Sequence, residues 1–252
     1  MTGIDKIAGV LRELLNEKEI IARCELLLRT YDIVFAANLS DQESSELGKM
    51  VGEHIAPGIF ASIMNGESVF FDLPKLDTYT QINGHIFHFL HTKRYNKHDF
   101  DEASREFLQS LPELKSIQHR SQVGLLKDFM ASAGYSLSRE GPQDLIFSAG
   151  ERNLQIFVAS SVKSLDIDKF KFPGKMESAI LVPSGESLEP FVQFFREKGQ
   201  IAEDAGIQVW VANLEQGTID PFIGYTTDMD IYEQFKNPRL AEMVRNNWSL
   251  KR

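Results

Sequence analysis

Three histidines, His85, His88 and His91, stand in the pattern H-x-x-H-x-x-H. On a helix this spacing sets three imidazoles on one face, a donor set suited to zinc. Their neighbours read differently. The run HIFHFLH follows Asn83-Gly84, a strong tight-turn pair, and has the character of a strand. On a strand His88 faces away from His85 and His91, so ordinary strand histidines are expected. The most basic local stretch is Lys163, Lys169, Lys171 and Lys175, interleaved with Phe170 and Phe172. Such residues can contact a phosphate backbone. Asp166 and Asp168 dilute the charge, and a solvated loop is the expectation. Phe191, Phe194 and Phe195 have helical spacing and read as core.

Several chemistries lack their signatures. The chain has no G-x-x-x-x-G-K-[ST], no G-x-G-x-x-G and no G-x-S-x-G. This argues against P-loop nucleotide hydrolysis, Rossmann cofactor binding and esterase chemistry. Cys24 is the only cysteine, so neither an intrachain disulfide nor a cysteine zinc site can form. Of the 252 residues, 42% are hydrophobic and 25% charged, enough apolar material for packed cores. The formal net charge is −9, with −6 over residues 1–119 and −3 over 120–252. Neither half carries the excess of Lys and Arg that nonspecific duplex binding needs. No run approaches the ~18 apolar residues of a membrane span. The opening MTGIDKIAG has no apolar leader core, so a cytoplasmic protein is expected.

The elements that must position these residues follow from periodicity. Residues 4–16 carry Ile4, Ile7, Ala8, Leu11, Leu14 and Leu15 on one helical face. CELLLRT and IVFAANL read as two strands turning around Tyr31-Asp32. Ser40 to Glu43 is a capping box opening a helix with Leu47, Met50, Val51, His54 and Ile55 on its stripe. Pro57-Gly58 kinks or ends it, and a second helical piece runs on to Gly66. SVFFDLP and YTQINGHIFHFLHT read as strands, and FDEASREFLQSL as a helix. The polar, proline-interrupted region from Leu111-Pro112 to Ser121 marks the boundary between domains 1–114 and 115–252. Beyond it come a helix over 121–133 that Gly134 can cap, the strands YSLSRE, DLIFSA, LQIFVAS and SAILVPS, a helix over 187–205, the final strand IQVWVANL, and a peripheral helix over 228–247. Near-continuous apolar strands between helices imply a sheet covered on both faces.

The stretch LLLRTYDIVFAANLSDQESSELGKMVGEHI, within an α-β-β-α-β-β-β-α order, makes residues 3–112 resemble the roadblock (longin-like) family. Tyr31-Asp32-Ile33 stands where that family usually has Asp-Gly. The resemblance implies a non-catalytic module that forms a homodimer and binds a small GTPase or another protein. Residues 120–215, with FMASAGYSLSREGPQDLIFSAGERNLQIFVASS followed by AILVPSGESLEPFVQFFREKGQIAEDAGIQVWVANL, resemble the restriction-endonuclease-like PD-(D/E)XK superfamily. By that resemblance Asp144 matches the metal-binding aspartate and Gln155 the Glu/Gln position, while Phe157 falls where the motif has lysine. Phosphodiester hydrolysis needs carboxylates on Mg²⁺ and a cation beside the attacking water. Phe157 supplies neither, and Gln155 carries no charge. Some members move the lysine to the following helix, where Lys163, or less well Lys169, could serve.

These readings lead to a two-domain α/β protein: a roadblock-like interaction and dimerisation domain, then a degenerate nuclease-like domain with a mixed sheet covered by helices. The expected role is a non-catalytic regulator or adaptor. The rival is a Mg²⁺-dependent nuclease using Asp144, Gln155 and Lys163, with Asp144 as its metal ligand. A third reading is a nucleic-acid-binding module that has lost catalysis, which the acidic charge disfavours.

Overall fold

The structure is a computed structural model that describes residues 3–65, 76–82, 85–167, 177–184 and 188–250. The Asn83-Gly84 turn, the strand expected at SVFFDLP and the cluster Lys169, Phe170, Lys171, Phe172 and Lys175 lie outside the described residues. The chain is a mixed α/β protein of two compact units, Met1–Ser121 and Gln122–Arg252. The division falls inside one long helix, α5 (Lys97–Ser132). From the sequence, Pro112 puts the boundary at 114/115, because proline interrupts helices. Instead, α5 continues past Pro112. Proline removes one backbone donor and crowds the carbonyl four residues back. In that turn the Ser110 hydroxyl donates to the Phe107 carbonyl (2.8 Å).

The first unit contains α1 (Gly3–Glu17), β1 (Ile20–Ala22), α2 (Arg23–Ala37), α3 (Asp41–Val51), α4 (Ile55–Asn65), β2 (Leu76–Ile82), β3 (His85–His91) and the first part of α5. Its three strands form an antiparallel sheet in the order β1-β3-β2. The expected strand pair CELLLRT and IVFAANL is not formed; all of those residues up to Ala37 lie in the single helix α2. A short apolar run reads equally as a strand or as a buried helix, and tertiary packing decides here. Leu26, Leu27, Leu28, Thr30 and Tyr31 are all buried, so helix sides that would be polar on a surface helix are covered. The buried Glu25 is compensated by Lys18 (2.8 Å) and Arg29. Asn38 ends α2 in the left-handed region at φ 48°, donating its backbone N–H to the Phe35 carbonyl; asparagine tolerates that conformation better than most residues. The Ser40–Glu43 capping box forms as the sequence predicts. Gly58 lets α4 meet the end of α3, because a Cβ there would lie 2.0 Å from the Val51 carbonyl oxygen.

The second unit holds the rest of α5, β4 (Ser136–Glu140), β5 (Asp144–Ala149), β6 (Arg152–Val158), β7 (Glu177–Pro183), α6 (Glu189–Asp204), β8 (Ile207–Asn213), β9 (Thr218–Ile223), α7 (Met229–Tyr232) and α8 (Leu240–Leu250). A six-stranded mixed sheet runs in the order β4-β5-β6-β7-β8-β9. The pairs β6–β7 and β7–β8 are parallel, the others antiparallel. On one face Phe129 of α5 packs against Trp210 and Phe235. On the other, Phe191, Val192 and Phe194 of α6 join Ile180, Val182, Val209, Val211 and Phe222 in one core. Strand β9 was not foreseen. Pro221 argues against a central strand, and β9 lies at the sheet edge, where the lost donor is tolerated. The single terminal helix expected over 228–247 is instead the short α7 and the separate α8.

Candidate functional site

Residues Gly141 to Asp144 turn the chain from β4 into β5. The Gly141 N–H donates to the Asp144 carbonyl (2.8 Å). A Cβ on Gly141 would sit 2.4 Å from Asp144 Oδ1, so glycine leaves the room that the carboxylate occupies. Asp144 pairs with Phe157 across β5–β6, and Gln155 pairs with Ile146. Alternation puts Asp144, Gln155 and Phe157 on the same face of the sheet. Asp144 Oδ2 accepts from Gln155 Nε2 (2.8 Å) and from Arg139 Nη2 (2.5 Å). The Gln155 amide, first, and the Arg139 guanidinium hold the Asp144 carboxyl below its ordinary value, against the opposing effect of burial. Gln155 Oε1 is buried with no hydrogen-bond partner.

Two of the three sequence candidates thus meet. The third, Lys163, is exposed on a 3-10 turn (Val162–Ser164) after β6, with its backbone N–H donating to Ser161 Oγ. The cation bonded to the Asp144 carboxylate is Arg139, which sequence reading did not single out. Phe157 packs against the core beneath α6. The fit to Mg²⁺ is poor: the local set is one carboxylate already engaged by a guanidinium, plus one amide oxygen, where a hard cation calls for more oxygen ligands. Among the described residues no group of three or more His, Cys, Asp or Glu could hold a metal ion. The histidine pattern falls on β3. His91 is buried, with Nε2 against Thr78 Oγ1 (2.9 Å) and Nδ1 against the Lys93 carbonyl (2.7 Å). His88 lies on the other face beside Asp77 (3.3 Å).

A second polar constellation lies at the opposite end of β6, and no sequence pattern announced it. Gly134, at φ 78°, ends α5, and the Tyr135 N–H returns to the Met130 carbonyl. This sets the buried Tyr135 ring, whose hydroxyl donates to Asp228 Oδ2 (2.5 Å). Gly150, at φ 61°, makes the two-residue turn between β5 and β6. It delivers Arg152, whose guanidinium lies over the Tyr135 ring, reaches Asp228 with Nη1 and donates to Asp230 with Nη2 (3.0 Å). Asp228 Oδ1 accepts from the Asp230 and Ile231 amides and so caps α7. Burial raises the Asp228 carboxyl, but the Tyr135 hydroxyl, the α7 amides and Arg152 outweigh it and leave the group below its ordinary value. Burial and the Asp228 charge push the Tyr135 phenol strongly upward, so it stays a neutral donor. A cleft of about 240 Å³ opens here, lined by Tyr135, Glu151, Arg152, Asn153, Glu177, Thr227 and Asp228. These residues come from separate stretches of the chain, so only the capping character of Asp228 was available as a sequence signal.

The second unit is therefore a mixed-sheet α/β domain with a satisfied carboxylate on one sheet face and a polar cleft at a sheet end. The chain belongs to the DUF6834 family: the model described as domain of unknown function (DUF6834), C-terminal domain, matches residues 102–237, more than half of the chain. The match begins within α5 and ends at Asn237, whose backbone and side-chain nitrogens both donate to the buried Asp220. No curated protein matches the chain.

Proposed function

We propose that the protein is a non-catalytic regulator or adaptor that dimerises and binds a protein partner. The observation that carries this reading is the state of Asp144. Its carboxylate is engaged by Arg139 and Gln155, while Phe157, at the position that would need a cation, packs partly buried against the hydrophobic core. A carboxylate neutralised in this way is a structural anchor for the β4–β5 turn. The net charge of −9 adds to the case against nucleic acid as the partner. Within this proposal, the roadblock resemblance of the N-terminal half makes a small GTPase the first partner class to test. The helix at α2 replaces the strand pair that carried much of that resemblance, so the dimer and the partner need direct measurement.

The deciding assay incubates the full chain with single- and double-stranded DNA in Mg²⁺ or Mn²⁺. No cleavage above background is expected. Cleavage abolished by Asp144→Ala would overturn the proposal in favour of the metal-dependent nuclease using Asp144, Gln155 and Lys163. A salt-sensitive gel shift without cleavage would favour the nucleic-acid-binding module. Light scattering after size exclusion should give twice the 28.6 kDa chain mass; a strict monomer at high concentration removes the dimer.

A further inference from the structure

We infer that the cleft between Glu151 and Glu177, with the apolar segment beside it, is a docking site for a basic peptide segment of a partner protein. This rests on the adaptor reading and names the chemistry of its partner. The charges of the cleft are unequally matched. Arg152 is engaged by Asp228 and Asp230, so its charge is already answered within the fold. Glu151 and Glu177 line the same cleft, are exposed, and have no ion pair among the described residues. Glu177 accepts a long bond from Thr227 Oγ1 (3.4 Å). Two carboxylates lining one concave volume, without an ion pair among the described residues, favour a cationic visitor.

The segment that carries Thr227 and Asp228 also exposes apolar side chains. Tyr225 is 78% exposed, Met229 60% and Tyr232 39%, all within eight residues of chain. Met229 and Tyr232 lie three apart on α7 and share a face. Exposed tyrosine and methionine beside a polar cleft match the composition of protein interfaces, where aromatic residues and methionine are enriched. They suit a cation's carbon stem and flanking apolar side chains. The segment is also held in place. Asp228 ties it to Tyr135 and Arg152 and caps α7, so a partner would meet a wall already formed.

The test uses the full chain and fluorescence polarisation with short fluorescein-labelled peptides in which Arg or Lys alternates with Leu or Trp. A matched pool carries Glu at each basic position. The basic pool should bind, the acidic pool should not, and added NaCl should weaken binding. Glu151→Gln with Glu177→Gln should lower affinity about tenfold, as expected for losing two partly exposed ion pairs, while circular dichroism stays unchanged. Tyr225→Ser should also weaken binding. Absence of binding by the basic pool, or binding indifferent to the double substitution, would overturn the inference. So would calorimetric binding of CaCl₂ or MgCl₂ alone that the double substitution abolishes, which would make the cleft a cation site. A protein that fails these tests and cuts no DNA loses the docking site but keeps the adaptor reading. A protein that cuts DNA through Asp144 loses the adaptor reading whatever the peptides do.

Discussion

Asp144 and Asp228 are both carboxylates held below their ordinary pKa, yet they do different work. Asp144 joins a turn to its neighbouring strand through Arg139 and Gln155. Asp228 is almost fully buried and gathers a phenol, a guanidinium and two helix amides. Substituting Asp228→Asn removes the charge that Arg152 answers and leaves Tyr135 and Arg152 with a weaker acceptor. A loss of about 1–3 kcal/mol is expected, the range for leaving buried polar partners poorly satisfied, read from the urea midpoint. The sign of the pH dependence follows from the depressed folded pKa. The stability contributed by ionised Asp228 is fully present above the unfolded value near 4 and is lost as pH falls through the lower folded value. The gap between wild type and Asp228→Asn should therefore be steady above about pH 5 and narrow below about pH 4. A gap that widens on acidification would contradict the assignment.

At the scale of elements, α2 shows how one run of residues supports two readings. Its Leu26-Leu27-Leu28 run and the β-branched Ile33 and Val34 satisfy strand criteria. Burial of several helix sides, and the Asn38 stop, make it a helix. The stop is open to test. Asn38→Gly should be close to neutral, because glycine adopts φ 48° freely. Asn38→Ala should cost about 1 kcal/mol, because a Cβ without a compensating polar group is strained there. Thermal melts of the two variants separate them; equal melting temperatures would remove the cap from the account. The strands of the second unit were more legible. The residues DLIFSA became β5 without shift, and IQVWVAN became β8 within the expected IQVWVANL. Both are bounded by turn residues, and β8 is flanked by Gly206 at φ 67°.

The whole molecule joins its two units through the continuous helix α5, and the family match begins inside that helix. Phe129 and Met130 of α5 are buried within the second unit, so the sheet depends on the helix for one of its covers. A fragment of residues 97–252 should therefore fold alone, with a cooperative urea transition and dispersed amide resonances. A fragment starting after Ser132 should expose that sheet face and aggregate. If both behave alike, α5 is not required for the second unit. Among the described residues no helix is long and apolar enough to cross a membrane.

Local period and capping were enough for a mixed α/β chain, the capping box at Ser40, the strands around Asp144 and Gln155, and the absence of a lysine at Phe157. Register follows from alternation, so placing Asp144 and Gln155 on neighbouring strands was within reach of sequence. The remaining features depend on partners far along the chain. The helical state of α2 comes from the surfaces that bury it. Arg139, from the neighbouring strand β4, bonds the Asp144 carboxylate. The Tyr135, Arg152 and Asp228 cluster joins residues 76 and 93 positions apart. Local pattern cannot report such pairings, because hydrogen bonds and burial between distant segments exist only once the sheet has been assembled.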